Sequence, residues 1–426
     1  MKRHLTRKST SHFFSNFYLV AFYLYRSKTF LSLFLIFVYH VSTSQNWIQI
    51  QNFPASKRDD GVAVTVNNKA YFGTGLQEGW TATIDFYELD IPTLAWKKIP
   101  DMPHSTERQY ACAFPGKNCF YIFGGDGIGG ALNNLYKYDI ASSSWIQMNS
   151  KPGNGLRGAS CMAFGDSIIF VGGSSNTSIN NEVWLYVLSS NTWTKRNNFS
   201  YGGRWRACAS VLNNKGYFMF GLDSNNIYRK EIFKYNLVAD TWMPMSDFPS
   251  TIGRTYSSLV TASQQLVLFG GTDSLKNYFN DTWYYNDVTN KWIKDQTMPS
   301  FGRKGGMCAS DGLHIYYSCG INKLDQRLNE TWMTDIPLSL ENEKQNVSFQ
   351  IYPNPAFNEI NLIFSDAPLD NFSYRVLSTN GFEVVSFQKI NQSPTKINLS
   401  QLNSGIYFLE IKNEKGFIEI RKLIKE

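Results

Sequence analysis

From residue 46 to about 338, short runs of alternating apolar and polar positions recur along the chain. Examples are Leu135-Tyr136-Lys137-Tyr138-Asp139, Trp184-Leu185-Tyr186 and Ile232-Phe233-Lys234-Tyr235-Asn236. A period of two predicts half-buried β-strands. Each is preceded by a continuous apolar run that ends in a glycine pair, as in Tyr121-Ile122-Phe123-Gly124-Gly125, Ile169-Phe170-Val171-Gly172-Gly173 and Leu268-Phe269-Gly270-Gly271. Elsewhere the pair is reduced to Gly73-Thr74-Gly75, Gly221-Leu222 and Cys319-Gly320. Each alternating run is followed by a strand carrying a tryptophan, so the pattern gives about four strands per unit.

Two residue types measure the repeat. Trp47, Trp96, Trp145, Trp193, Trp242 and Trp292 are separated by 49, 49, 48, 49 and 50 residues. Arg58, Arg108, Arg157, Arg204, Arg254 and Arg303 follow them by 11, 12, 12, 11, 12 and 11. Units of about 50 residues, each of four short strands, are the mark of a β-propeller. The glycine pair, the following tyrosine and the tryptophan at matching offsets resemble the kelch repeat family. The resemblance implies an all-β, six-bladed propeller over residues 45–338. The sixth unit lacks its own tryptophan strand and Trp47 has no blade before it, so Trp47-Ile48-Gln49-Ile50 is expected to complete the last blade from outside. Such closure removes exposed sheet edges. The fold alone does not set the function, because propellers serve binding proteins and enzymes alike.

The two ends read as addresses. Residues 1–44 carry Lys2, Arg3, Arg7, Lys8, Arg26 and Lys28 and no acidic residue, and Phe30 to Val38 is a short apolar core followed by Ser42-Thr43-Ser44. This is the pattern of a secretory signal peptide cleaved before Gln45. The long basic region and a second apolar patch from Phe13 to Tyr25 also fit a membrane hairpin or a start codon set too far upstream. The period stops after Pro337, and the polar residues 339–348 read as a linker. Residues 349–426 then hold further alternating strands with an Asn380-Gly381 hairpin signal, a pattern expected to form a compact β-sandwich. With Tyr352-Pro353-Asn354-Pro355, Leu402-Asn403-Ser404-Gly405-Ile406-Tyr407 and the basic ending Arg421-Lys422-Leu423-Ile424-Lys425, this segment resembles the type A C-terminal sorting domain of the bacterial type IX secretion system. The resemblance implies that residues 349–426 engage the type IX secretion machinery. It also implies passage through the periplasm and across the outer membrane of a Bacteroidota-type cell, with release or attachment to surface lipopolysaccharide. Membrane contact is then limited to such anchoring.

Composition narrows the function classes. The net charge of +7 comes almost entirely from the first 44 residues, and no basic stripe or nucleic-acid motif follows, so nucleic-acid binding falls away. Aromatic residues make up 15% of the chain against 18% charged, which excludes a disordered scaffold. Beyond residue 44 there are only two histidines, His104 and His314, and no Cys-x-x-Cys pair, which opposes a zinc site; no cofactor is expected. Cys112, Cys161 and Cys208 each follow a repeat arginine by four residues and read as small buried core residues. Cys112 with Cys119 and Cys308 with Cys319 lie on successive strands, where a disulfide would be decided by geometry. Galactose oxidase has a kelch-type propeller, but its copper ligands have no counterpart here. Sialic acid mutarotase shares the six-bladed kelch architecture and exported location. Its acidic residue lies in an insertion that the even 48–50 spacing leaves no room for.

Recognition is therefore the leading expectation, of a glycan or a protein, with a sugar-acting enzyme of the mutarotase type or a purely structural surface protein as rivals. The candidate binding residues are Arg58, Arg108, Arg157, Arg204, Arg206, Arg254 and Arg303. Recurring just before each innermost strand, they are expected at one mouth of the channel, where they would focus a positive potential. Trp205, Tyr110, Tyr256 and Lys304 add aromatic and cationic surface. The competing reading pairs the repeat arginines with carbonyls and with acids such as Asp59, Asp60 and Glu107 to hold the ring together, since a residue required once per repeat usually serves the repeat.

Overall fold

The computed structural model describes residues 47–250, 252–287, 290–335, 349–364, 372–413 and 418–426. The proposed signal peptide and the linker lie outside the described residues. Among those described there is no helix. Six four-stranded antiparallel sheets form the blades of a propeller. The first comprises Val62–Val66, Lys69–Gly73, Phe86–Asp90 and Ala95–Ile99. The sixth comprises Met307–Ser310, His314–Ser318, Thr331–Asp335 and, from the other end of the domain, Ile48–Ile50. Ile48 pairs with Met333, Gln49 with Trp332 and Ile50 with Thr331.

The core is divided into one apolar cluster per interface between blades. The cluster between blades 1 and 2, for example, holds Val62, Val64, Tyr71, Phe86, Phe120, Ile122 and Tyr136. The outer-strand tryptophans pack back on the preceding blade: the Trp145 ring lies 5.0 Å from Phe86 of blade 1 and 5.5 Å from Phe120 of its own blade. In blades 1 to 3 their indole N–H groups donate to the backbone just after the preceding blade's outer strand, as in Trp96 Nε1 to Gln51 O at 2.9 Å and Trp193 Nε1 to Asn149 O at 2.7 Å. Trp47 follows the same rule at the closure, buried against Phe269 of blade 5 at 5.0 Å and donating to Thr282 Oγ1 at 3.3 Å.

The glycine pairs explain the spacing between blades. At the first position the backbone is left-handed near φ 60°, a region that Thr74, Phe220 and Cys319 also occupy. At the second, φ runs from 88° to 101° in Gly75, Gly125, Gly173, Gly221, Gly271 and Gly320, which side chains rarely tolerate. A Cβ there would also meet neighbouring backbone, 2.6 Å from Asp59 O at Gly75 and 2.7 Å from Gln109 O at Gly125. Each of these six N–H groups donates to the next blade: Gly75 to Arg108 O, Gly125 to Leu156 O, Gly173 to Arg204 O, Gly221 to Arg254 O, Gly271 to Arg303 O and Gly320 to Arg58 O, at 2.7–3.0 Å.

The C-terminal unit is a β-sandwich. One sheet holds Phe349–Tyr352, Glu359–Phe364 and Thr395–Asn398; the other holds Glu383–Lys389, Phe372–Ser378, Gly405–Asn413 and Ile418–Lys425. Ile360, Leu362, Val376, Leu409, Ile411 and Leu423 fill the space between them. Asn354, within the Tyr-Pro-Asn-Pro run, pins the last strand by donating to Lys422 O and accepting from Ile424 N, both at 2.8 Å.

Removing the buried tryptophan at the closure, Trp47→Ala, is expected to lower stability by about 3–5 kcal/mol. Ile48→Ala, at a 52% exposed neighbour, is expected to change little. Urea unfolding of the two variants measures the difference.

Candidate functional site

The structure separates the predicted arginines into three groups. Arg58, Arg108, Arg204, Arg254 and Arg303 are 0–3% exposed. Each lies inside its own blade: Nη1 of Arg58, Arg108, Arg254 and Arg303 donates to the carbonyl 16 residues on, at Thr74, Gly124, Gly270 and Cys319. Most also pair with an acid just before the third strand. Arg254 grips Asp281 with two bonds of 2.7 Å, Arg58 grips Asp85 at 2.6 and 2.9 Å, and Arg303 reaches Glu330 at 2.7 Å. Arg204 lies 3.8 Å from Glu231. Arg108 has the neutral Asn134 instead, at 2.9 Å, and burial pushes its pKa down to about 10. Their real acid partners are Asp85, Glu231, Asp281 and Glu330, not Asp59, Asp60 or Glu107. The signal for them was present in the sequence, as acidic residues recurring with the blade period.

Arg157 stands one residue out of register. The backbone bond that elsewhere reaches the arginine carbonyl reaches Leu156 in blade 3, so Leu156 occupies the arginine's place. Arg157 instead pairs with Asp126 at 2.8 Å with its side chain 32% exposed. Cys161 is displaced with it. Cys112 donates to Ala159 O of the next blade at 3.2 Å, and it is Ser160, donating to Ala207 O at 2.8 Å, that makes the equivalent contact. All six cysteines are free thiols; Cys112 and Cys119 sit at opposite ends of their hairpin, Cys112 facing Phe123 and Cys119 facing Gly116.

Arg206 is different. It lies two residues after the buried arginine, where Asp60, Tyr110, Gly158, Tyr256 and Gly305 stand in the other blades. All six have φ of 54–64°. Their backbones link head to tail around the channel: Asp60 N to Gly305 O, Tyr110 N to Asp60 O, Gly158 N to Tyr110 O, Arg206 N to Gly158 O and Tyr256 N to Arg206 O, at 2.6–3.2 Å. The inward side chains of this ring meet. Arg206 Nη2 donates to Asp60 Oδ1 from the opposite blade. The guanidinium carbon lies 4.1 Å from the Tyr256 ring centroid and 4.8 Å from that of Tyr110. Trp205 packs edge-on against both tyrosines at 5.5 and 5.8 Å, and Lys304 lies 5.2 Å from Tyr256. The ring glycines make room for this cluster, since a Cβ on Gly158 would sit 2.6 Å from Trp205 Nε1 and one on Gly305 would sit 2.5 Å from Asp60 Oδ1.

The electrostatics are those of a desolvated, mixed-charge site. Burial, opposed by Arg206 and reinforced by Asp59, pushes the Asp60 carboxyl up to about 8. Burial also works against the Arg206 charge, but Asp60, Tyr256 and Tyr110 hold its pKa above the ordinary value. Asp59 is taken up by Arg327 Nε at 2.6 Å, and Arg327 lies 5.1 Å from the ring of Trp80, which is 80% exposed. Arg206 Nε and Trp205 Nε1 are buried donors with no partner in the protein. Around the same face the tips of the second connections carry exposed Trp80, Ile128, Ile227, Leu275 and Leu324. Among the described residues no group of His, Cys, Asp and Glu is arranged to hold a metal ion. Asp60, Trp80 and Arg327 were not singled out as site residues from the sequence. For Asp60 the signal was its place two residues after a repeat arginine, in line with Arg206.

Residues 62–250 match the KLHDC2/KLHL20/DRC7 Kelch-repeats domain, 253–299 match the Kelch motif, and 350–426 match the secretion system C-terminal sorting domain. The chain is thus a kelch-repeat propeller followed by a sorting domain of the type IX kind, which marks it for export to the cell surface or medium and for contact with the secretion machinery. Among curated relatives, N-acetylneuraminate epimerase of Vibrio cholerae serotype O1 is 31% identical over 153 residues, 30% of this chain and 38% of that protein. The protein of the same name from Haemophilus influenzae (strain PittEE) is 22% identical over 246 residues, 47% of this chain and 64% of that one. The chain therefore spans less than two thirds of the length of either. Kelch domain-containing protein 3 of Bos taurus is 23% identical over 268 residues, 56% of this chain and 70% of that protein. The solved structure of YjhT superposes with a TM-score of 0.58 at 16% identity, covering 66% of this chain and 95% of that one, a likeness of fold alone.

Two substitutions distinguish framework arginines from surface ones. Arg254→Gln, which leaves Asp281 buried without its partner, is expected to cost about 3–5 kcal/mol. Arg157→Gln, at a partly exposed pair, is expected to cost under about 1 kcal/mol. Both are read from chemical unfolding curves.

Proposed function

We propose that this protein is an exported binding module whose channel-mouth cluster recognises a carboxylated sugar. In this reading residues 1–44 are the signal peptide, 45–338 the working propeller, 339–348 the linker and 349–426 the sorting domain. One observation carries the proposal: Arg206 is held on a left-handed backbone between two tyrosine faces, and its Nε and the neighbouring Trp205 indole N–H are buried donors without acceptors. Framework donors such as Arg254 Nε and Trp292 Nε1 also lack a protein partner; this pair is set apart by its place on the channel ring beside the Tyr110 and Tyr256 faces, where an acceptor-bearing ligand would satisfy both. A guanidinium matches a planar carboxylate by paired hydrogen bonds, and the tyrosine, tryptophan and Lys304 groups suit the ring and charge of an acidic sugar. The names of the bacterial relatives, N-acetylneuraminate epimerases, support the same ligand class.

A second reading, acid–base action on such a sugar, is favoured by one feature. Asp60 titrates close to neutrality beside Arg206, as a general acid or base requires.

Proton NMR saturation transfer with N-acetylneuraminate, glucuronate and neutral sugars tests the proposal. The expected result is transfer to N-acetylneuraminate without faster anomer exchange, weakened at least about tenfold by Arg206→Ala. Accelerated anomer exchange would make the protein an enzyme, and silence across the panel would move the reading to a protein ligand on the apolar loop tips. The pH dependence has a definite sign. Below about 8 Asp60 is neutral and leaves the Arg206 charge uncompensated; above it the carboxylate competes for the guanidinium. Affinity for an anionic sugar is therefore expected to fall as pH rises through about 8, a trend that Asp60→Asn should abolish.

A further inference from the structure

Blade 3 departs from the other five in a second, linked way. Five residues or so before each buried arginine, every other blade has an apolar side chain at 0–2% exposure: Phe53, Met102, Phe199, Phe248 and Met298. In blade 3 that place holds Lys151, equally buried at 1%. The arginine's place holds Leu156. Cation and apolar group have thus changed places. In the other blades the guanidinium reaches the acid before the third strand, or Asn134 in blade 2, and stacks on the apolar residue where that is phenylalanine, at 4.9 Å for Arg58 on Phe53, 5.7 Å for Arg204 on Phe199 and 5.3 Å for Arg254 on Phe248.

Beside Lys151 lies a cavity of about 520 Å³. At its base the Lys151 ammonium lies 3.7 Å from Glu182 and 4.5 Å from the Trp184 ring centroid, donating to Pro152 O at 2.8 Å. At its rim Lys195, half exposed, donates to Glu182 at 3.0 Å, and Trp184 Nε1 donates to the same carboxylate at 2.9 Å. Ser175 and Asn180 line the wall. The volume is that of a small-ligand site. Two ammonium groups face one carboxylate, so the cavity is cationic, and its remaining lining offers hydroxyl and amide groups.

We propose that blade 3 carries a second ligand pocket, apart from the channel mouth, which takes a hexuronic acid or similar small hydroxylated carboxylate, with Lys151 and Lys195 as the carboxylate's partners. Glu182 holds the two ammonium groups in place and excludes ligands with a second negative charge near it. The neutral counterpart of the ligand lacks the group that the two lysines recognise. The pocket does not depend on the channel-mouth reading, because no residue is shared.

Calorimetric titration of the purified full chain with glucuronate, and with glucose as the neutral counterpart, tests this. Glucuronate is expected to bind and glucose not to. Lys195→Ala, at a half-exposed side chain, is expected to weaken glucuronate binding at least about tenfold. The double variant Lys151→Phe with Leu156→Arg gives blade 3 the arrangement of its neighbours and is expected to abolish binding while keeping the unfolding transition. Arg206→Ala is expected to leave this binding in place, which separates the pocket from the channel mouth. The proposal is overturned by absence of glucuronate binding, by equal binding of glucose, or by glucuronate binding that survives Lys195→Ala or is lost with Arg206→Ala.

Discussion

Everything in the propeller depends on one backbone hydrogen bond made six times. The N–H of the second glycine of each blade donates to the carbonyl that precedes the innermost strand of the next blade, and Gly320 to Arg58 makes the sixth link of the circle. The bond requires a backbone with φ near 90–100° and no side chain in the gap, which is why this glycine is kept in every unit while its neighbour drifts to Thr74, Phe220 or Cys319. Once the bond sets the register, the residue two places further on lies on the channel ring. The buried arginine two places before it, replaced by Leu156 in blade 3, ties the blade's own loops together in the other five blades. Structural and candidate binding roles are therefore divided between residues two positions apart.

That division accounts for what could and could not be read in the sequence. Blade number and propeller architecture were legible because tryptophan, glycine and apolar runs recur at fixed steps, each step being one blade. The arginine series was legible as a series but misaligned in blade 3, where counting from Trp145 lands on Arg157 although the hydrogen bond is made by Leu156. A one-residue difference is invisible to a spacing rule that already tolerates 11 or 12. The shared position of Arg206 and Asp60 after a buried arginine was legible, but their meeting was not. The two are 146 positions apart and face one another only because the ring puts the fourth blade opposite the first.

The sorting domain was readable for a different reason. Its motif residues cluster in short runs, such as the Tyr-Pro-Asn-Pro run from which Asn354 holds the final strand. A motif of that kind remains recognisable without any knowledge of the contacts around it. The propeller's ligand chemistry, by contrast, rests on side chains brought together from four blades, of which only the tyrosine recurs, at Tyr110 and Tyr256.

The central claim is that the Arg206 and Trp205 donors at the channel mouth are there to meet a carboxylated sugar. Nitrogen-resolved NMR of the arginine Nε–H and tryptophan indole N–H groups, recorded with and without N-acetylneuraminate, tests it most directly. The account predicts that the Arg206 Nε–H and Trp205 Nε1–H resonances shift in proportion to saturation while those of buried Arg254 stay fixed. Binding of the sugar with both channel-mouth resonances unmoved would contradict it.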